Sequence, residues 1–349
     1  MAARNRKSMA GALVFAGKVM VAVAVSSLAA GLIFQWCATK VDERRYPMPG
    51  VMVEVDGHQM HLDCRGEGST TVVLDAGLGD SASTWALVQP EVAKFTRVCS
   101  YDRPGLGWSE KSSGARDTRH VAAQLKDLLL QAHIPGPYLL VGHSFGGYNQ
   151  LVFQSLYPDQ VVGIVLVDSS HPDQGDRLPG PSMEQYAAEM HWKALAAPFG
   201  LQRLMGWCRD DYTFPNAPQA WKQVAPVSIA LDCRSSVFPA TYDEFLAFRE
   251  SGRQVAAVTT LHALPLIVLS HDPQVGIDFP PENAAEGERQ WNAMQEELRA
   301  LSTNSKRVIA RTSMHYIESY RAELVIQAIR EVFTAAATGQ QITAATTDE

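Results

Sequence analysis

Positive charge is in short supply: 30 Lys and Arg face 37 Asp and Glu, a formal net charge of −7 over 349 residues. No basic stripe offsets that deficit, so a nucleic-acid backbone is excluded as a partner. No self-similar period runs along the chain, which sets aside solenoids and propellers. The low hydrophobicity that keeps chains disordered is also missing, since 46% of residues are apolar and 19% charged. Metal-ligand sets are absent as well. His171-Pro172-Asp173 and His271-Asp272 have no second, correctly spaced group, and no metal is expected. Cysteine is sparse, with five in all: Cys37, Cys64, Cys99, Cys208 and Cys233.

Long apolar runs are confined to one place. Arg4, Arg6 and Lys7 form a basic start, and Val19 to Thr39 carries no charge, roughly the 20 residues needed to cross hydrocarbon as a helix. Lys18 can snorkel to the interface. The run exceeds an ordinary signal-peptide core and ends without a clean small-x-small cleavage site, so a single-pass anchor is expected rather than a cleaved signal. Residues 1–18 are then cytoplasmic, 19–39 the anchor and 40–50 a linker, with the rest periplasmic or extracellular; the basic residues before the run give a slim positive-inside bias. Four cysteines beyond the anchor suit two disulfides in an oxidising compartment, or buried free thiols.

From Val51 the pattern changes. Val51 to Val55 alternates up to Asp56-Gly57, a hairpin signal. Short apolar strands follow at Thr71–Leu74, Arg97–Tyr101 and Tyr138–Val141, separated by helical stretches expected from Ser81 to about Phe95 and around Val121, Leu125, Leu128 and Leu129. Alternating buried strands and amphipathic helices imply an α/β fold around a mainly parallel sheet.

The strand at Tyr138–Val141 runs into Gly142-His143-Ser144-Phe145-Gly146-Gly147 and then a helical pattern at Leu151, Val152, Phe153 and Leu156. G-x-S-x-G between strand and helix is a nucleophile elbow, where a strained turn lifts a serine hydroxyl above the sheet. Such a serine needs a base and an oxyanion hole. The hole would use the amides of Phe145 and, from Ala76-Gly77-Leu78-Gly79, of Leu78. The base is expected after the last strand, where His315 follows Lys306–Ala310 and precedes a helix bearing Leu324, Val325, Ile329 and Val332. His143 lies inside the elbow, and His58, His61, His120 and His133 on early elements; all five read as ordinary structural histidines.

With these motifs and Tyr101-Asp102-Arg103-Pro104-Gly105-Leu106-Gly107-Trp108-Ser109, the chain from about Gly50 to Ala335 resembles a serine hydrolase of the α/β-hydrolase fold family. The resemblance implies an eight-stranded, mainly parallel sheet flanked by helices, a Ser–acid–His triad, no cofactor and an inserted cap. Core residues would be 51–168 and 263–337, the cap 169–262, and 338–349 a disordered tail. Many members begin the oxyanion loop with His-Gly, whereas Asp75-Ala76-Gly77 stands here. The family order leaves two acids, Asp168 and Asp272. Asp168 is preferred, because its spacing from Ser144 is close to that of members taking the acid from the earlier strand. Strand neighbours in the family sheet also imply a Cys64–Cys99 disulfide, with Cys208–Cys233 inside the cap.

The cap is rich in Trp192, Phe199, Met205, Trp207, Tyr212, Phe214 and Trp221, which suggests a hydrophobic group in the substrate or glue between cap and core. The expected activity is hydrolysis of a small-molecule carboxylic ester through an acyl-enzyme. A serine nucleophile separates the chain from the aspartate-dependent dehalogenases and epoxide hydrolases of the fold. Amidase, thioesterase, lactonase and C–C hydrolase chemistry stays open, as does a catalytically idle binding protein.

Overall fold

The structure, a computed structural model, describes residues 2–209, 218–275, 279, 282–342 and 346–348. Tyr212 and Phe214 lie outside them. α1 (Ala2–Arg45) is a single helix, and from Gly11 it is long and apolar enough to cross a membrane. The hairpin of β1 (Val51–Val55) and β2 (His58–Arg65) follows. Asp56 and Gly57 turn it with φ of 51° and 78°, the two left-handed residues of the tight turn that matches strand twist.

β3 (Thr71–Asp75), β4 (Arg97–Tyr101), β5 (Tyr138–His143), β6 (Val161–Val167), β7 (Leu266–His271) and β8 (Ser305–Ala310) continue the sheet in the order β1-β2-β4-β3-β5-β6-β7-β8. β2 alone runs against the others, pairing antiparallel with β1 and β4, and the remaining pairs are parallel. Helices cover both faces, so the central strands are apolar on both sides. Alternate residues serve separate cores. Leu140, Ile164, Leu166 and Val268 meet one face with α3 (Thr118–Gln131) and α4 (Phe145–Leu156). Leu139, Val141, Val165, Val167 and Ile267 meet the other with the last helices, α11 (Ile317–Tyr320) and α12 (Ala322–Thr338).

Three expectations change. The stretch from Ser81 to Phe95 is a 3-10 turn (Ala82–Trp85) and a one-turn α2 (Gln89–Val92). Pro90 has no amide to continue a helix, although Trp85, Val88 and Val92 are still buried. Residues 40–45 are helix rather than linker, held by ion pairs of Asp42 with Arg203 (2.7 Å) and Glu43 with Arg234 (3.2 Å). The polar tail is partly ordered. Ile342 is buried and donates its amide to Asn304 Oδ1 at 2.7 Å. Beyond it, β9 (Thr346–Asp348) pairs with Arg307–Ile309 as a ninth strand, because the exposed edge of β8 offers backbone groups whatever the side chains.

Between β6 and β7 lies a helical insertion of α5 (Gln174–Arg177), α6 (Met183–Ala196), α7 (Leu201–Met205), α8 (Gln219–Asp232) and α9 (Val237–Ala256). Between β7 and β8 runs α10 (Ala284–Arg299), which accounts for the long separation of Asp272 from His315. Cys64 stands opposite Cys99 across β2 and β4, and the two are bonded. Cys208–Cys233 joins the end of α7 to the end of α8.

Candidate active site

β5 delivers Ser144 to the C-terminal edge of the sheet, where α4 begins at once. The serine backbone is held at φ 50°, ψ −119°, a conformation that costs of order 1–3 kcal/mol outside glycine. What over-determines it is close packing. A Cβ on Gly142 would lie 2.5 Å from Gly146, and one on Gly146 would collide with the Asp75 carbonyl. Ser144 also donates its amide to Val167 O (3.1 Å) and accepts at its carbonyl from Gly147 and Ser170 (both 3.0 Å). Its side chain is half-buried at a cavity of about 240 Å³ that His315 also lines.

Asp168 ends β6 and meets His315 Nδ1 through Oδ2 at 2.6 Å. Three further donors fix the same carboxylate: Trp291 Nε1 (2.9 Å), the His271 amide (3.1 Å) and His271 Nδ1 (2.8 Å). Burial pushes Asp168 up, but the His271 charge and the hydrogen bonds from His271 and His315 prevail and hold it well below the carboxylate range. Burial pulls His271 down. Asp168, and then Glu288 at 2.9 Å from Nε2, reverse this and push it up to about 10. Asp272 sits apart. It accepts from the amides of Thr312 (2.9 Å) and Gln274 (3.0 Å) and from Arg311 (3.1 Å), and so fastens the loop ahead of His315.

A raised His271 pKa gives stability that is complete below its ordinary value near 6.5 and is lost as pH rises through about 10. Melting temperatures recorded from pH 7 to 10.5 are therefore expected to fall further for the wild type than for His271→Asn. Parallel curves would show that His271 carries no charge at pH 7.

His143 supports His315 from behind. Its Nε2 donates to the His315 carbonyl at 3.2 Å, and its Nδ1 lies 3.4 Å from the Glu318 carboxyl. Burial and then the neighbouring His315 charge hold His143 well below its ordinary value, and burial raises Glu318 well above its own. Each shift favours the neutral form, the form that burial away from water suits.

The loop after β3 is braced by a buried arginine. Arg103 bonds Asp75 Oδ1 (2.8 Å), the carbonyls of Ala76 (2.8 Å) and Gly77 (2.5 Å), and Glu244 of α9 (2.7 Å). Glu244 accepts in turn from the Gly79 amide at 2.8 Å. Asp75 also accepts from Tyr101 (2.8 Å) and Asn149 (3.0 Å). Leu78 is thus held between two glycines whose backbone groups are both tied down. Glu244→Ala would leave Arg103 short of a buried counter-ion, and urea unfolding is expected to register a loss of about 3–5 kcal/mol. A loss below about 1 kcal/mol would mean that this brace is of no more consequence than a surface pair.

A family model described as the alpha/beta hydrolase family matches residues 72–325. The chain belongs to that family. An esterase from Thermogutta terrifontis superposes with a TM-score of 0.63 at 21% identity, over 82% of this chain and 99% of the esterase. The Cif epoxide hydrolase from Acinetobacter nosocomialis gives a TM-score of 0.63 at 15% identity, over 86% and 96%. At such identities these establish the shared fold. A 2-hydroxy-6-oxononadienedioate/2-hydroxy-6-oxononatrienedioate hydrolase of Paraburkholderia xenovorans is 33% identical over 138 residues, 37% of this chain and 46% of that protein. The chain spans between about a fifth and a half of the length of the curated relatives it matches.

Within this hydrolase fold, Ser144, Asp168 and His315 come together, and Asp272 does not join them. His271, Trp291, Glu288 and Glu318 are additions that no local motif announced. The apolar wall of the cavity comes from Leu178, Pro179, Met183, Tyr186, Phe279 and Trp291. The aromatic residues expected to form it pack elsewhere: Trp192 against Trp207 at 4.5 Å between ring centres, Phe199 against α1, and Trp221 deep in a separate cluster. Folding also adds a third group near His171 and Asp173. Glu297 comes within 4.8 Å of both, but Arg177 already pairs with that carboxylate at 2.8 Å.

Proposed function

We propose that the protein is a membrane-anchored serine hydrolase acting on carboxylic esters with an apolar group. The observation that carries this reading is the 2.6 Å contact of the buried Asp168 with Nδ1 of His315, the histidine that lines the same cavity as Ser144. With its Nδ1–H given to Asp168, the imidazole presents Nε2 as an acceptor. It takes the Ser144 proton as Oγ attacks the ester carbonyl. The negative charge that gathers on the carbonyl oxygen is met by the amides of Phe145, at the first turn of α4, and of Leu78. Collapse of the tetrahedral intermediate breaks the C–O bond, and His315 returns the proton to the departing alcohol. Water, activated by the same nitrogen, then frees the acid and restores the hydroxyl.

The serine sets the chain apart from epoxide hydrolases, whose aspartate would stand in its place. The Leu178, Met183, Phe279 and Trp291 side chains that share the mixed polar and apolar lining with Ser144 favour an ester with a hydrocarbon part. The two disulfides agree with an oxidising compartment, and α1 with a tether that leaves the hydrolase domain outside the cytoplasm. A panel of p-nitrophenyl esters of graded chain length, run beside a fluorophosphonate probe, tests the chemistry. Turnover and labelling are expected together, and folded protein that does neither would leave a binding role. Alkaline carbonate washing tests the tether: full-length protein is expected to stay in the membrane pellet.

A further inference from the structure

We infer that the far end of the helical insertion is a membrane-docking surface, seated in the leaflet from which α1 emerges; this rests on the anchor reading above. The inference starts with where α1 meets the insertion. A Cβ on Gly31 would lie 2.7 Å from the Phe199 carbonyl, and one on Gly200 would lie 2.7 Å from the Phe34 ring. Gln35 is buried there. Its amide donates to the Cys233 carbonyl (2.9 Å) and accepts from Arg203 (3.0 Å). These contacts fall inside the charge-free run that closes at Thr39. At 1.5 Å per residue, positions 31–35 lie about 6–12 Å below the level of Thr39 along the helix axis.

Residues 199–200 are therefore carried to the depth at which interfacial segments sit, about 5–10 Å into the headgroup and acyl boundary. The side chains flanking that contact suit such a depth. Leu195, Leu204 and Met205 are 64%, 67% and 63% exposed, and Trp192 and Leu201 are partly open as well. A cluster of this kind facing water is costly, whereas a tryptophan beside leucines is what a membrane interface favours. Nearby cations are already neutralised, Arg203 by Asp42 (2.7 Å) and Lys193 by Glu189 (2.6 Å), so the surface offers hydrocarbon contact rather than attraction to anionic headgroups. The fit is with a lipid bilayer continuous with the one that α1 crosses.

The docking orients the catalytic cavity. Met183 and Tyr186, in the first turn of α6, line it, and Trp192 and Leu195 close the same helix. Its mouth then stands about 14 Å along α6 from the lipid surface, within reach of amphiphilic esters that partition there.

The test uses full-length protein in liposomes. Cys37 is the free thiol; Cys37→Ser removes it, and single cysteines are introduced by Leu204→Cys or Val25→Cys and labelled with an NBD fluorophore. Lipids brominated along their chains then report contact by quenching. Loss of emission is expected at both positions, with shallow bromines more effective at 204 and deep ones at 25. Quenching at 25 with none at 204 would overturn the docking surface and leave the anchor in place. Absence at both would remove the anchor reading and the inference with it. A blue-shifted but unquenched probe at 204 would mean that a second copy, not lipid, covers the patch, and would equally overturn it.

Discussion

Ser144→Ala is expected to lose about 10⁶-fold in kcat, the scale of losing the nucleophile from a triad that acts as a unit. What survives should be only about 10³–10⁴ over water, from oxyanion stabilisation and binding. Fluorophosphonate labelling should vanish with it. Fold should not, because the elbow is fixed by the Val167, Gly147 and Ser170 backbone bonds and not by the hydroxyl. A further comparison separates chemistry from packing. Alanine inherits the φ of 50° imposed on Ser144, whereas glycine accepts it without strain. Ser144→Gly should therefore unfold at a higher temperature than Ser144→Ala while being equally inactive. Ester turnover within tenfold of wild type in either variant would remove Ser144 from the mechanism.

What could be read in the sequence was what depends on neighbours along the chain. Leu139–Val141 and Val165–Val167 are apolar without alternation because helices cover both sheet faces, and that signature alone announces a buried parallel strand. The elbow is legible because Gly142 is demanded by its contact with Gly146, four residues on, although Gly146 itself answers to the distant Asp75 carbonyl. Asp56-Gly57 is a complete turn in itself. His271 and Trp291 were not legible, since their meaning arises only when β7 lies beside β6 in a register that pairs Val167 with Leu269. That register sets His271 against Asp168 and lets α10 bring its indole across. Glu318 is similarly silent, a helix-start acid until folding buries it against His143. The charged stretch at 40–45 reads as a solvated linker, and becomes helix because Arg203 and Arg234, far away in the chain, receive its carboxylates.

On the proposed mechanism, removing the Asp168 carboxylate is expected to be the second largest loss. Asp168→Asn keeps size and shape but replaces an acceptor-only group with one that must donate on one side. Four contacts converge there: Trp291 Nε1, the His271 amide, His271 Nδ1 and His315 Nδ1. The three from Trp291 and His271 are donors that claim the amide oxygen, so the asparagine NH₂ turns toward His315. The imidazole must then accept at Nδ1 and carry its proton at Nε2, the wrong tautomer for taking one from Ser144. That exchange costs about 10⁴ in kcat in a well-studied triad, and the same order is expected here. Asp272→Asn should behave differently. It loosens a loop tied to Thr312, Gln274 and Arg311, and turnover should fall by less than about tenfold, with a stability change near 1 kcal/mol for weakened hydrogen bonds. Because Asp168→Asn also takes a counter-ion from the buried His271, kcat has to be measured on protein whose circular dichroism and melting confirm folding. A collapse of turnover in Asp272→Asn with Asp168→Asn spared would transfer the acid's role to the other aspartate, and would require a loop rearrangement that carries it to His315.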